Sequence, residues 1–246
     1  MVGGATALLS RRGLALAALL AVVAAYSALA GHLWESGLWP QIAFLALVVL
    51  PVTLALPYLA LPVIGSRGLL LVALALAVLA VLLYAAGLGV AFDLAKLGAL
   101  TAFGFWFLAY FEALSWVVLV AVIVPWVDAV SVWRGPTDYI VSEQPGLFEN
   151  LAVGFRVPGE EGAAQLGPPD ILFFALFLGA AVRFELRPFW TWLTMTALLG
   201  ATLALAAGFD IAGLPALPAL CLGFLLPNAD LLWRELRRAR SAARSG

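Results

Sequence analysis

The sequence predicts an all-α fold, a polytopic membrane helix bundle of about eight transmembrane helices, and three observations carry that prediction. Of 246 residues, 65% are hydrophobic and only 11% are charged, whereas a soluble domain carries about 25% charged residues. The apolar residues gather into runs near the roughly 20 residues that a helix needs to cross a bilayer. The charged residues fall mostly between those runs, with two aspartates standing out as exceptions.

Eight runs meet the length criterion: 13–31, 39–62, 68–90, 94–112, 114–134, 167–186, 189–209 and 213–233. The first follows Arg11 and Arg12 and ends near Ala28-Leu29-Ala30, which resembles a signal-peptide cleavage site. Its apolar stretch exceeds the roughly 7–15 residues of a signal-peptide core, so it reads as an anchor. The second run holds Pro40, Pro51, Pro57 and Pro62 and is expected to be kinked, since a membrane helix tolerates proline where neighbours satisfy the freed carbonyls. Residues 97–133 are nearly continuous apolar sequence, far too long for one span, and a tight turn is expected at Glu112–Ser115. In the one sizeable loop, 135–166, the segment Leu151–Val157 reads as a short strand. Gly87, Gly89, Gly98 and Gly104 are expected at close helix contacts.

Arginine and lysine set the orientation. With the N-terminus inside, eight spans place Arg11, Arg12, Arg67, Arg183, Arg187 and the tail arginines Arg234, Arg237, Arg238, Arg240 and Arg244 inside. Only Lys96, Arg134 and Arg156 fall outside. The expectation is a multi-pass protein of the cell membrane with both termini cytoplasmic. The arginine-rich tail is then a topology anchor beside anionic lipid, and the tryptophans mostly mark the interfaces.

Composition also removes function classes. The net charge of −1 gives no basic surface for nucleic acid. One cysteine, Cys221, excludes an intrachain disulfide. The single histidine, His32, argues against a Ser-His-Asp triad or a histidine-rich metal site. No cofactor and no metal is expected.

The exceptional charges are Asp128 and Asp170. An ionisable group at the bilayer centre costs roughly 2.5 to 3.5 kcal/mol on insertion scales, and such groups usually mark function. Asp128 precedes Arg134 by six residues, about 9 Å below the outer end of its helix. Asp170 follows Gly167-Pro168-Pro169, about one turn into the next span, which starts from the same side. The two carboxyls therefore lie at similar depth on consecutive antiparallel spans. Each also has a plainer reading: Asp170 as a helix-start residue, Asp128 as the partner of a snorkelling arginine. The last run opens Gly213-Leu214-Pro215-Ala216-Leu217-Pro218 at the same level. Two prolines three apart break a regular helix there. Glu112 reads as a turn carboxylate, and Asp93, Asp210 and Asp230 as charges near span ends.

Val127-Asp128, Gly167-Pro168-Pro169-Asp170 and Pro215-Ala216-Leu217, in this order, resemble the three motifs of the presenilin and signal peptide peptidase family of intramembrane aspartyl proteases. The similarity covers about residues 114–233. Val127 stands where that family has tyrosine, and Pro169 where it has glycine. The resemblance implies a presenilin-like bundle, usually of nine spans, with a further N-terminal span beyond the eight read here. It implies that 1–113 is scaffold with a route for substrate entry and that 114–246 is the catalytic region, with its external loop and basic tail. Asp128 and Asp170 would be catalytic, and Gly167, Pro215, Ala216 and Leu217 would bind substrate. The external loop between the aspartate spans matches the signal peptide peptidase orientation, whose substrates are type II transmembrane helices and remnant signal peptides. Three rivals stand beside it. An ion-coupled transporter also uses broken helices and buried carboxylates, but predicts an internal repeat and a site near the midplane. A catalytically inactive relative that binds membrane helices is the second, and Pro169 favours it. A prepilin-type peptidase is the third, and Pro215-Ala216-Leu217 argues against it.

Overall fold

A computed structural model describes residues 2–34, 36–134, 150–160, 162–209 and 214–245. Most of the expected external loop, including Asp138, Glu143, Glu149 and Glu161, lies outside the described residues, as does Asp210. The helices are α1 (Val2–Leu29), α2 (Leu38–Phe44), α3 (Leu50–Leu59), α4 (Leu69–Ala85), α5 (Gly89–Phe107), α6 (Leu114–Arg134), α7 (Pro168–Arg183), α8 (Pro188–Gly208) and α9 (Leu217–Ser245). A two-stranded antiparallel hairpin, β1 (Val153–Arg156) and β2 (Ala163–Leu166), pairs Val153 with Leu166 and Arg156 with Ala163.

Every apolar run has become helix. Among the described residues, five segments are long and apolar enough to cross a membrane: Arg11–His32, Leu38–Val63, Gly89–Tyr110, Leu114–Ser131 and Pro188–Gly208. Helix α4 is apolar but has 17 residues, and α7 has 16. Three local expectations hold, and a fourth holds in part. The second run is interrupted by a π-helical turn at Leu45–Val49, just before Pro51. Proline offers no N–H to the carbonyl four residues back and its ring crowds that carbonyl, so a widened turn relieves the clash. The break between α5 and α6 falls at Phe111–Ala113. The strand expected within 151–157 is β1. Gly98 and Gly104 lie at helix contacts: a Cβ at Gly104 would stand 2.7 Å from the Leu172 carbonyl oxygen and 2.8 Å from the Ala175 Cβ. Gly87 instead turns the chain, at φ +72, and a Cβ at Gly89 would meet only the Arg156 guanidinium, at 3.9 Å.

The core is built around α7. Ile171, Phe174, Leu176, Phe177 and Leu178 are all fully buried. Phe177 stacks on Phe224 of α9 with ring centroids 4.9 Å apart. Helix α4 lies at the periphery: Leu71, Leu74, Val78, Val81 and Leu82 are exposed apolar residues, as a lipid-facing helix requires.

Helices α8 and α9 are joined by polar contacts that follow from Pro227. Proline cannot donate to the Gly223 carbonyl, and the Thr194 hydroxyl donates to it at 2.5 Å instead. Below this, Asn228 donates to the Thr191 hydroxyl at 2.8 Å and accepts from the Arg187 N–H at 3.0 Å. Arg187 also forks onto Asp230 at 2.7 and 2.9 Å. Gly223 sits at the closest approach, where a Cβ would lie 2.5 Å from Met195 Cα and 2.7 Å from its nitrogen. Both obstacles are backbone, so the helices must part. Gly223→Ala is expected to destabilise the bundle by about 1–3 kcal/mol, as overpacking does. Thermal unfolding in detergent checks this against Gly37→Ala, whose added Cβ meets nothing within 4 Å.

The hairpin lies over one end of the bundle. Tyr26 donates to the Arg156 carbonyl at 2.7 Å, Gly159 N–H to the Ala30 carbonyl at 2.8 Å, and Gln41 to the Pro158 carbonyl at 3.2 Å. The end of α1 and the starts of α2 and α5 therefore share one level with β1. At the opposite end, Arg183 closes α7 by donating to the Leu108 carbonyl at 2.6 Å.

Candidate functional site

Asp128 is held on α6, three residues after Pro125 and six before the helix ends at Arg134. Its carboxylate Oδ2 accepts the backbone N–H of Leu217 at 3.0 Å. That N–H is available for a local reason. Leu214 and Pro215 are not helical, Ala216 is a bend, and α9 starts only at Leu217. The first turn of a helix leaves its N–H groups without intrahelical partners, and the Ala216 carbonyl already accepts from Ala219 and Leu220 at 3.1 and 3.3 Å. The expected last span, 213–233, thus begins four residues later as a helix, with Gly213 outside the described residues. Pro215 lies before the helix and Pro218 within its first turn.

Asp170 is the third residue of α7, closer to the helix start than the expected full turn. Its Oδ2 accepts the Gly167 N–H at 2.9 Å, while its own N–H donates to the Gly167 carbonyl at 3.1 Å. The helix-start reading of Asp170 is therefore correct as far as it goes, because the carboxylate closes the α7 N-terminus. It does not exhaust the residue. The Asp128 carboxylate is near enough for its charge to be felt at Asp170. It is also felt at Cys221, a buried thiol one turn along α9 from Leu217.

The expected site residues thus form two bonded pairs, Asp128 with Leu217 and Asp170 with Gly167. Gly167 is buried, and Pro215 and Ala216 are half-buried in the nonhelical approach to α9. Val127 points away from the site and is 60% exposed. Pro169 is exposed at the start of α7.

One arrangement was not foreseen. Lys96, expected as an outside charge at the start of the run 94–112, is buried within α5. It pairs with Asp93 at 2.9 Å and donates to the Asn150 carbonyl at 3.3 Å and to the Ala152 carbonyl. Asp93 in turn accepts the Gly154 N–H at 3.4 Å. The outer side of β1 therefore faces this ion pair, and among the described residues no strand lies along the outer edge of β2. Strand β2 leads directly into Gly167 and Asp170. The sequence held one usable signal for this, the three-residue spacing of Asp93 and Lys96 on one helix face.

Among the described residues, no three histidine, cysteine, aspartate or glutamate side chains gather where they could hold a metal ion. Comparison with protein-family models, with curated proteins and with solved structures finds no match to this chain.

Proposed function

We propose that this chain is an intramembrane aspartyl endopeptidase that hydrolyses peptide bonds within transmembrane helices or remnant signal peptides. The observation that carries the reading is the bond from the Leu217 N–H to Asp128, which joins the third sequence motif to the first. Asp170 stands within electrostatic reach of the same carboxylate.

Two carboxyls that share a site divide one proton between them. The ionised member takes a proton from a water molecule, whose oxygen attacks the scissile carbonyl carbon. The protonated member gives its proton to the carbonyl oxygen, forming a tetrahedral diol. The nitrogen then takes the proton that the first carboxyl removed from water, a diol hydroxyl returns its proton to the second carboxylate as the C–N bond breaks, and an acid and an amine leave. Asp128 lies about two helical turns from the end of α6, a depth that water reaches from outside. A helical substrate hides its carbonyls in its own hydrogen bonds and unwinds before it reacts. The unwound segment pairs along the open edge of β2 by strand addition and so comes to Asp170. Leu217 holds Asp128 through its backbone, which leaves Pro215 and Ala216 to face substrate. In this reading both termini are cytoplasmic, the surrounding partner is the lipid bilayer, and the bundle is presenilin-like.

The test is cleavage of a type II helical reporter by the purified chain in lipid nanodiscs, with and without a hydroxyl-bearing transition-state analogue. Two fragments whose formation the analogue blocks are expected. An intact reporter that nevertheless co-purifies with the chain would favour the second reading, a helix-binding protein without protease activity, for which the closure of α7 by Asp170 and the exposed Pro169 speak.

A further inference from the structure

At the end of the bundle away from Asp128 and Asp170, α6, α7 and α9 part around a cavity of about 640 Å³. That size is within the roughly 300–1,000 Å³ of small-molecule sites. Its polar lining is of both signs: Glu112 from the break before α6 and Ser115 from its start, Arg183 from the end of α7 and Glu185 from the turn beyond it, and Arg234 and Glu235 from α9. It opens at the level of Trp233, which is exposed and carries the Arg237 guanidinium 5.0 Å above its ring. Tryptophan and arginine so placed mark the membrane–water boundary.

Glu185 supplies the second observation. Its φ is +53, and it is the one non-glycine residue at positive φ among those described. The Leu186 N–H donates to the Ala181 carbonyl at 2.8 Å and the Glu185 N–H to the Val182 carbonyl at 3.2 Å. That is the helix-ending turn in which glycine is the residue of choice. A glutamate is strained there, and backbone strain of this kind collects at binding sites. Its carboxylate lines the cavity beside the C-terminus of α7, whose dipole favours a cation. Glu112 lines the same cavity from the break before α6, and Arg234 brings positive charge from α9.

We propose that this cavity binds the headgroup of a phospholipid carrying both a phosphate and a primary ammonium, as phosphatidylethanolamine does. The ammonium donates to Glu112 and Glu185, and the phosphate accepts from Arg234. A purely anionic headgroup meets three carboxylates in the lining. A basic peptide segment meets two guanidinium groups. The mixed lining suits the zwitterion with hydrogen-bond donors. The inference goes beyond the protease reading and stands without it.

The full chain, purified in mild detergent and offered equal amounts of phosphatidylethanolamine, phosphatidylcholine and phosphatidylglycerol, is read by native mass spectrometry for retained lipid. Phosphatidylethanolamine is expected to be retained preferentially. The preference should fall about tenfold in Glu185→Gly and in Arg234→Gln, the loss of one charge-assisted hydrogen bond. Glu185→Gly suits the backbone at this position, so its fold survives, and an unchanged preference in that variant overturns the proposal. Equal retention of all three lipids also overturns it, as does preference for phosphatidylglycerol. Displacement of the lipid by a lysine-flanked helical peptide more readily than by phosphatidylethanolamine assigns the cavity to a peptide and overturns it too.

Discussion

Asp170→Asn is expected to lower the turnover of a helical reporter by about 10²–10⁴-fold, the usual worth of a positioned acid or base, and to leave thermal stability almost unchanged. The second half of that expectation gives the first its meaning. Asp170 accepts the Gly167 N–H at the start of α7, and an asparagine carbonyl oxygen accepts the same hydrogen. A purely helix-closing residue would therefore tolerate the change in both assays. Asp128→Asn keeps an acceptor for Leu217 in the same way and is expected to lose as much turnover. Residues that act as one unit are not additive, so the double variant should be no slower than either single one. Turnover and unfolding temperature, measured on all three variants in one preparation, decide it. Full activity in either single variant ends the protease reading.

Leu217→Pro is the second large effect. The substitution removes one backbone hydrogen, the one that Asp128 accepts at 3.0 Å. Position 217 opens α9, where proline is well tolerated because the N–H there has no helical partner. A bond to a charged carboxylate is worth about 1.5–3 kcal/mol, so a loss of roughly 10–100-fold in turnover is expected, with the reporter's KM little changed. Leu217→Ala keeps the N–H and should retain most of the turnover. A proline variant that reacts at the rate of the alanine variant would mean that the Asp128–Leu217 bond does not orient the carboxyl for chemistry.

The sequence made the helices legible because each apolar run is a one-dimensional signal. Length and hydrophobicity placed the helices, though only five segments among the described residues are long and apolar enough to cross a membrane, and the prolines marked the irregular turn before Pro51. The level of Asp128, Asp170 and Pro215-Ala216-Leu217 was legible for the same reason, since rise per residue converts spacing into depth. What spacing cannot carry is facing. That Asp128 meets the Leu217 N–H depends on how α6 and α9 are rotated, a tertiary fact separated by 89 positions. The Lys96 site failed to show itself likewise: its carbonyl partners are 54 and 56 residues away. A lysine expected only as a charge at the outer end of its span is what ties the hairpin to α5. Strand β2, Ala163–Leu166, contains no β-branched or aromatic residue, and its extended form follows from pairing with β1. Gly223 offered no sign of its role, because a glycine in an apolar run looks the same at a helix crossing as elsewhere.

The brevity of α4 has a consequence for the surrounding lipid. Seventeen helical residues reach about 26 Å, some 4 Å less than an average hydrocarbon layer. Glycines at positive φ, Gly68 and Gly87, lie just beyond its two ends, so the rod is not prolonged by its flanks. A bilayer of average thickness crossed by α4 is expected to draw in and dimple along that side to meet the shortfall. Such hydrophobic mismatch costs fractions of a kcal/mol per ångström, so the protein is expected to partition into thin membranes in preference to thick, sterol-stiffened ones.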